Sequence, residues 1–274
     1  MALRSLLAFV SISVVSHVLL AQSGSALMSA EGAGVGYSTA ALTKEWSLFN
    51  NIGGLSEATA FTSIFAYEVN PNLQGANRAA AGIVMPFKFV TTGLGLFRFG
   101  DDLYNEQMLS LGLSNRFGLG SLGIKINYIQ YSAEGFGTHS AVGIDLGGIA
   151  ELSKNFSIGA YIINLNQPKL KTVDEEKLPV KLTVGFRFRP SEKTSISSEV
   201  QKDIVHKPTI RAGVEFSIYK KIQFRAGANL NPTRFFSGIG YSGSRLKIDY
   251  ALQFNPDMNV SHQASVGYLI KPRK

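Results

Sequence analysis

Three histidines, His139, His206 and His262, lie in the body of the chain, and imidazole is the side chain best suited to bind a metal or move a proton near neutral pH. No two of them have the spacing of a metal-ligand pair, and they read as polar residues near one end of the strands described below. His139-Ser140 sets a hydroxyl beside an imidazole, but a hydrolase also needs a group that orients the imidazole, and none can be placed. Asp174-Glu-Glu-Lys177 is a run of charge in the longest link, suited to a solvated loop or to a calcium or cargo contact. Gly32-Ala-Gly-Val-Gly36 and Gly118-Leu-Gly120 lack the spacing and the following helix of a phosphate loop, and suit turns and sheet curvature. There is no cysteine, which excludes a disulfide framework, a cysteine zinc site, an iron–sulfur cluster and a thiol nucleophile. The chain thus has no assignable catalytic residue, and it is expected to be non-enzymatic, with no cofactor and no metal.

The elements that would hold any site are unusual in composition. Of 274 residues only 17% are charged, against about 25% in an ordinary soluble domain, and 28 are glycine. Lys and Arg number 27 against 19 Asp and Glu, a net charge of +8. No basic cluster with interleaved aromatics exists, so nucleic acid is not an expected partner. Residues 1–21 read as a signal peptide: Arg4 precedes an apolar run from Leu6 to Leu20, interrupted by three serines and His17 and too short for the ~20 residues of a spanning helix. The cut falls after Ala21 or after Ala26, and an uncleaved anchor is the alternative. No later apolar run is long enough for a transmembrane helix.

From residue 58 onward the pattern has period two, the signature of strands. Val180, Leu182, Val184, Phe186 and Phe188 share one face, with Lys181, Thr183, Gly185, Arg187 and Arg189 on the other. Strands are expected at 59–67, 77–86, 89–99, 107–116, 121–131, 139–150, 156–165, 179–189, 194–201, 209–218, 222–230, 235–242, 245–254 and 261–269. A large soluble sandwich would hide the apolar faces between two sheets, whereas a membrane barrel turns them to lipid. An even count near fourteen, with links alternating between short turns and longer loops, selects an all-β, antiparallel transmembrane barrel over 59–274. The longer links are expected at 68–76, 100–106, 132–138, 166–178, 202–208 and 255–260. A charge facing lipid at the bilayer midplane costs ~2–4 kcal/mol. Lys125, Asp145, Lys181, Arg187, Arg211, Glu215, Arg225, Lys247 and Asp249, all on the polar parity, are therefore expected to form a charge network in the lumen.

Residues 22–58 do not alternate. The segment is small and flexible to Gly36, then holds Leu42 to Phe49, which suits a short helix around the only tryptophan, Trp46. It is long enough to fold back into the lumen as a plug; a tail outside the barrel is the other reading. Even-numbered strands end on the side from which a plug enters, so the short turns are periplasmic. Turns, flanks and tail on that side carry eleven basic residues against two acidic ones, including Lys220, Lys221, Arg245, Lys271, Arg273 and Lys274, while the longer-loop side carries seven against ten. A basic rim attracts an acidic periplasmic protein or anionic lipid headgroups.

Three segments carry a resemblance. Trp46-Ser-Leu-Phe-Asn-Asn-Ile-Gly-Gly-Leu-Ser56 resembles the WNPAGLA segment of FadL-like outer-membrane proteins, especially the PorV/PorQ-type group, with Asn50, Gly54 and Leu55 matching and Asn51 where proline is usual. Gly213 to Gly227 is similar to that group's "G-x-E-Y … L-R-A-G" hairpin. Ile248-Asp-Tyr-Ala251 with Ser261 to Tyr268 is similar to its closing strand pair. The terminal Lys271-Pro-Arg-Lys274 departs from the aromatic end usual in barrel assembly. The resemblance implies a protein of the bacterial outer membrane, surrounded by its lipids. It implies an accessory or interaction component of type IX-like secretion that meets a periplasmic or secretion-machinery protein. The wider family implies the alternative, a passive uptake channel for a hydrophobic ligand. A lipid hydrolase ranks third.

Overall fold

The computed structural model describes residues 26–73, 75–170, 177–204, 206–219, 221–256 and 259–272. The signal-peptide expectation at 1–21 lies outside the described residues. The first strands are β1 (Ala60–Val69), β2 (Arg78–Pro86), β3 (Thr91–Gly100), β4 (Tyr104–Phe117) and β5 (Gly120–Ala133). There follow β6 (Gly137–Ser153), β7 (Phe156–Ile163), β8 (Lys181–Ser191), β9 (Thr194–Asp203) and β10 (Thr209–Ile218). The last are β11 (Ile222–Leu230), β12 (Arg234–Ser242), β13 (Leu246–Asn255) and β14 (Asn259–Pro272). Each pairs antiparallel with the next, and β1 closes on β14, so the sheet is a closed barrel without an edge. All fourteen expected strands are present.

Parity sets the two faces. On β4, Leu109, Leu111 and Leu113 are 41–50% exposed, while Met108, Ser110 and Ser114 between and beside them are buried. The same alternation turns Leu182, Val184, Phe186 and Phe188 of β8 outward. Every strand turns at least one large apolar side chain outward, a distribution unlike the singly scattered apolar residues of a soluble surface. No described helix is long and apolar enough to cross a membrane.

Several of the longer links are shorter than expected: the one expected at 255–260 loses both ends, since Asn255 of β13 pairs with Asn259 of β14. Those expected at 100–106 and 132–138 shrink to 101–103 and 134–136, because β4, β5 and β6 run to 14, 14 and 17 residues. Their outer ends keep the ladder, from Tyr104↔Ala133 to Ala133↔Gly137, but Asn105, Gln107, Gln130, Ser132 and Thr138 erase the apolar period there. The length asymmetry therefore rests mainly on the links at 70–77 and 164–180.

The lumen is filled by the chain's own N-terminal segment, 26–58, here called the hatch. Residues 27–41 and 45–55 are buried apart from half-buried Glu31. Helix α1 (Ala30–Gly34), capped by the Ser29 hydroxyl accepting from Gly32 N, stands where a flexible stretch was expected; it packs on β11–β14. Two 3-10 turns, Glu45–Leu48 and Ile52–Glu57, follow; the second packs on β3–β6. The hatch backbone reaches the wall because the wall lacks side chains where they meet. A Cβ on Gly159 would collide with the Ala40 carbonyl, and Cβ atoms on the cross-strand partners Gly213 and Gly227 would collide with Val35 and Gly36.

This close fit predicts that Gly159→Val, which suits a strand but not the hatch, displaces residues 38–42. Overpacking of this kind costs ~1–3 kcal/mol, so hydrogen exchange at hatch amides should speed up about tenfold while the β7–β8 ladder stays protected. Unchanged hatch exchange would show that the contact does not hold it.

Candidate functional site

The lumen has two unlike sides. One is ionic. Arg225, on β11, donates to Glu215 at 2.7 Å and to Asp249 at 2.7 Å, and Arg187 lies 3.6 Å from the same Glu215. Lys247 reaches the hatch at Glu45, 2.5 Å away. Arg211 pairs with Glu199 at 2.5 Å. Lys125 pairs with Asp145 at 3.2 Å and donates to the Leu48 carbonyl of the hatch. Of the nine charges assigned to the lumen, Lys125, Asp145, Arg211, Arg225 and Asp249 are buried. Lys181, Arg187, Glu215 and Lys247 are half-buried. Lys181 sits in register opposite Asp203.

The segment matched to the WNPAGLA motif folds as a knot of side-chain-to-backbone bonds. Trp46 is buried and tilts onto Phe49, with ring centroids 6.2 Å apart. Asn50 Nδ2 donates to the carbonyls of Trp46 and Met28. The Gly54 carbonyl accepts from Lys44 N, and Leu55 is fully buried. Asn51 stands where the resembling motif has proline, and its role is not readable from the sequence. Its Nδ2 donates to Ala40 O at 2.6 Å and to Gly148 O of β6 at 3.0 Å, and its Oδ1 accepts from Gly53 N.

Other anchors were also missed. Glu199 Oε2 accepts from Thr39 N and Ala40 N while its Oε1 holds Arg211, so one carboxylate ties hatch to wall. Its parity on β9, with Ser195, Ser197 and Gln201, was the available signal. Tyr37 of the hatch donates to Gln263 at 2.9 Å beside Glu68, which pairs with Arg78 at 3.0 Å. Burial, with Glu68 adding to it, pushes the Tyr37 phenol well above its usual range. At Glu31 burial alone would raise the carboxyl, but Arg225, Lys247, Lys44 and Arg187 outweigh it and hold it below the usual glutamate range. That attraction is fully present above the usual glutamate pKa and is lost as pH falls.

The other side of the lumen is apolar. Leu48, Phe49, Ile52 and Leu55 join Ile64, Val84, Phe97, Met108 and Ile129 in one buried cluster. At its long-loop end lies a small cavity, partly open at its mouth. Leu27, Phe49, Phe97, Met108 and Ile129 supply its apolar lining, and Lys125, Asp145, Asn164, Lys181 and Gln201 its polar wall. Leu170 and Leu178, from the 164–180 link, are buried in the same apolar cluster. A second, shallow groove lies on the outside, where β2 presents small Ala79 and Ala81 between Phe65, Leu96 and Leu109. Phe97, Gln107 and Met108 line both, so the wall between them is one residue thick. The β2–β3 and β3–β4 ladders run unbroken through it.

The remaining candidates lie apart from these features. Lys221 and Arg245 are exposed at the short-turn end. Lys220, Arg273, Lys274 and the Asp174–Glu176 part of the acidic run lie outside the described residues, as does the Lys271 side chain. His206 bonds to Asp203 and His262 to the Tyr250 hydroxyl, and no cluster of three metal-binding side chains occurs among the described residues.

No protein-family model matches the sequence, and neither does any curated protein. Among solved structures the fold is similar to the CymD monoaromatic hydrocarbon channel, with TM-score 0.68 and 11% identity over 88% of this chain and 97% of that one. It is similar to the Pseudomonas putida toluene transporter TodX, with TM-score 0.66 and 13% identity over 90% and 98%. It is also similar to a Pseudomonas aeruginosa FadL homologue, with TM-score 0.63 and 13% identity over 86% and 97%. The chain therefore has the fold of FadL-like barrels. The finer resemblance to the PorV/PorQ-type group rests on its three sequence segments alone.

Glu199 gives the sharpest test of the ionic anchor. Glu199→Gln leaves the Arg211 guanidinium buried and short of its counter-charge, at a cost of ~3–5 kcal/mol. The midpoint of heat-driven unfolding, read by gel mobility in detergent, should fall, and adding Arg211→Met should recover part of the loss. Wild-type midpoints in both variants would contradict this.

Proposed function

We propose that the protein is an outer-membrane channel that admits small hydrophobic molecules passively. The observation that carries this reading is the cavity with its apolar lining above Phe49, separated from a lipid-facing groove by one layer of wall at Phe97 and Met108. A hydrophobic solute that leaves water at the long-loop end finds apolar surface there, one layer of wall away from the bilayer. The apolar outer band supports residence in the membrane, since its exposure to water would be costly. The likeness to structures named as hydrocarbon channels and a toluene transporter supports the choice of cargo. A secretion-accessory role draws its support from the motif segments alone, and of the lumen charges Lys125 and Lys247 are used to hold the hatch.

The test has two arms. The protein should fractionate with outer membranes and migrate faster unheated than boiled; recovery as a soluble periplasmic protein would overturn the location. Cells producing it should accumulate a radiolabelled monoaromatic such as toluene faster than cells lacking it. Phe49→Glu, which puts a charge into the apolar lining, should abolish the gain. Equal accumulation with and without the protein would overturn the transport reading and return the accessory role to first place.

A further inference from the structure

The short-turn rim carries a pattern that the channel does not use. Six turns close the barrel at this end, and each has a basic residue in it or beside it: Lys88, Arg116, Lys154, Lys193, Lys221 and Arg245. Arg116 is already paired, with Glu57 of the hatch at 2.7 Å and with Glu151 of β6 at 2.8 Å. The other five are exposed around the rim. The same turns also present large apolar side chains to the outside: Phe89 is 74% exposed, Leu119 71% and Tyr219 87%. The Lys88 ammonium lies 5.2 Å from the centre of the Phe89 ring. Turn tips facing water need no such side chains, and these are continuous with the lipid-facing band above them.

Cations spaced around a ring, with Lys88, Lys154, Lys221 and Arg245 each one or two residues from an aromatic or leucine, match an interface between hydrocarbon and anionic headgroups. A protein partner would call for one contiguous patch, whereas this pattern runs round the circumference. We propose that the short-turn rim is a binding surface for anionic phospholipid headgroups of the inner leaflet, with phosphatidylglycerol as the probe. The apolar tips insert among the upper acyl carbons and the five cations hold phosphates at the level of the turns. The chain's basic excess is then a lipid anchor. This rests on the outer-membrane reading above.

The test is lipid selectivity of the full-length protein in phosphatidylcholine vesicles, measured by electron spin resonance with spin-labelled phosphatidylglycerol against spin-labelled phosphatidylcholine. One engaged cation near a membrane surface corresponds to about fivefold in association, so phosphatidylglycerol should be preferred by at least that factor, and high salt should erase the preference. The double variant Lys154→Gln/Lys193→Gln, which alters only exposed turn residues, should lose part of it. Arg98→Gln, at the opposite rim, should not. Equal association of the two lipids, or a preference untouched by salt and by the turn variant, would overturn the proposal while leaving the barrel in place. Capture of an acidic periplasmic protein without lipid selectivity would also overturn it. Failure to enter vesicles at all would overturn the membrane reading and this proposal together.

Discussion

A barrel of fourteen strands encloses more space than its own inward side chains fill, and everything else in this molecule follows from how that space is closed. The chain uses its N-terminal segment, and the fit is backbone against backbone. Gly159 and the pair Gly213 and Gly227 leave gaps in the inner wall into which Ala40, Val35 and Gly36 settle. Gly53 of the hatch in turn rests on Gly147 and Gly148 of β6. Buried backbone groups must be satisfied, and the hatch has little regular structure to do so. Glu199 and Asn51 therefore take over, accepting and donating where a sheet or helix would have paired the chain with itself.

The hatch divides the lumen into an ionic side and an apolar side, and the division has consequences for passage. Along β8 to β13 the segment is tied by Glu45 to Lys247 and by Glu199, itself held by Arg211, with Glu31 facing a group of cations. Buried pairs of this kind add little net stability but are expensive to break, so they fix position. Along β2 to β5 it is held by Leu48, Phe49, Ile52 and Leu55 through contacts without direction. The cavity lies on that second side, where a hydrophobic solute replaces one apolar contact by another.

Much of this was legible in the sequence, for a physical reason. Alternation survives wherever one face of a strand meets hydrocarbon, so all fourteen strands could be read, and so could the polar parity of Lys125, Arg211 or Asp249. It fails where both faces are polar, which is why the outer ends of β4, β5 and β6 read as loops in the sequence. It fails again in the hatch. Helix α1 is five residues long, too short to persist by propensity, and is held by β11–β14 rather than by a period of its own. The strand glycines were visible as small residues on the polar face, but their use depends on a segment more than a hundred residues away in sequence. Asn51 looked like a departure from a motif, and only the nearness of Ala40 and Gly148 explains it.

The central claim is that the hatch seals the lumen to water and ions while leaving an apolar site above it. Electrical conductance across a planar bilayer measures this most directly. The full-length protein should show no steady open-pore current, whereas a chain lacking residues 26–58 should conduct ions continuously through the emptied barrel. A persistent ohmic current from the intact protein, equal to that of the shortened one, would contradict the account.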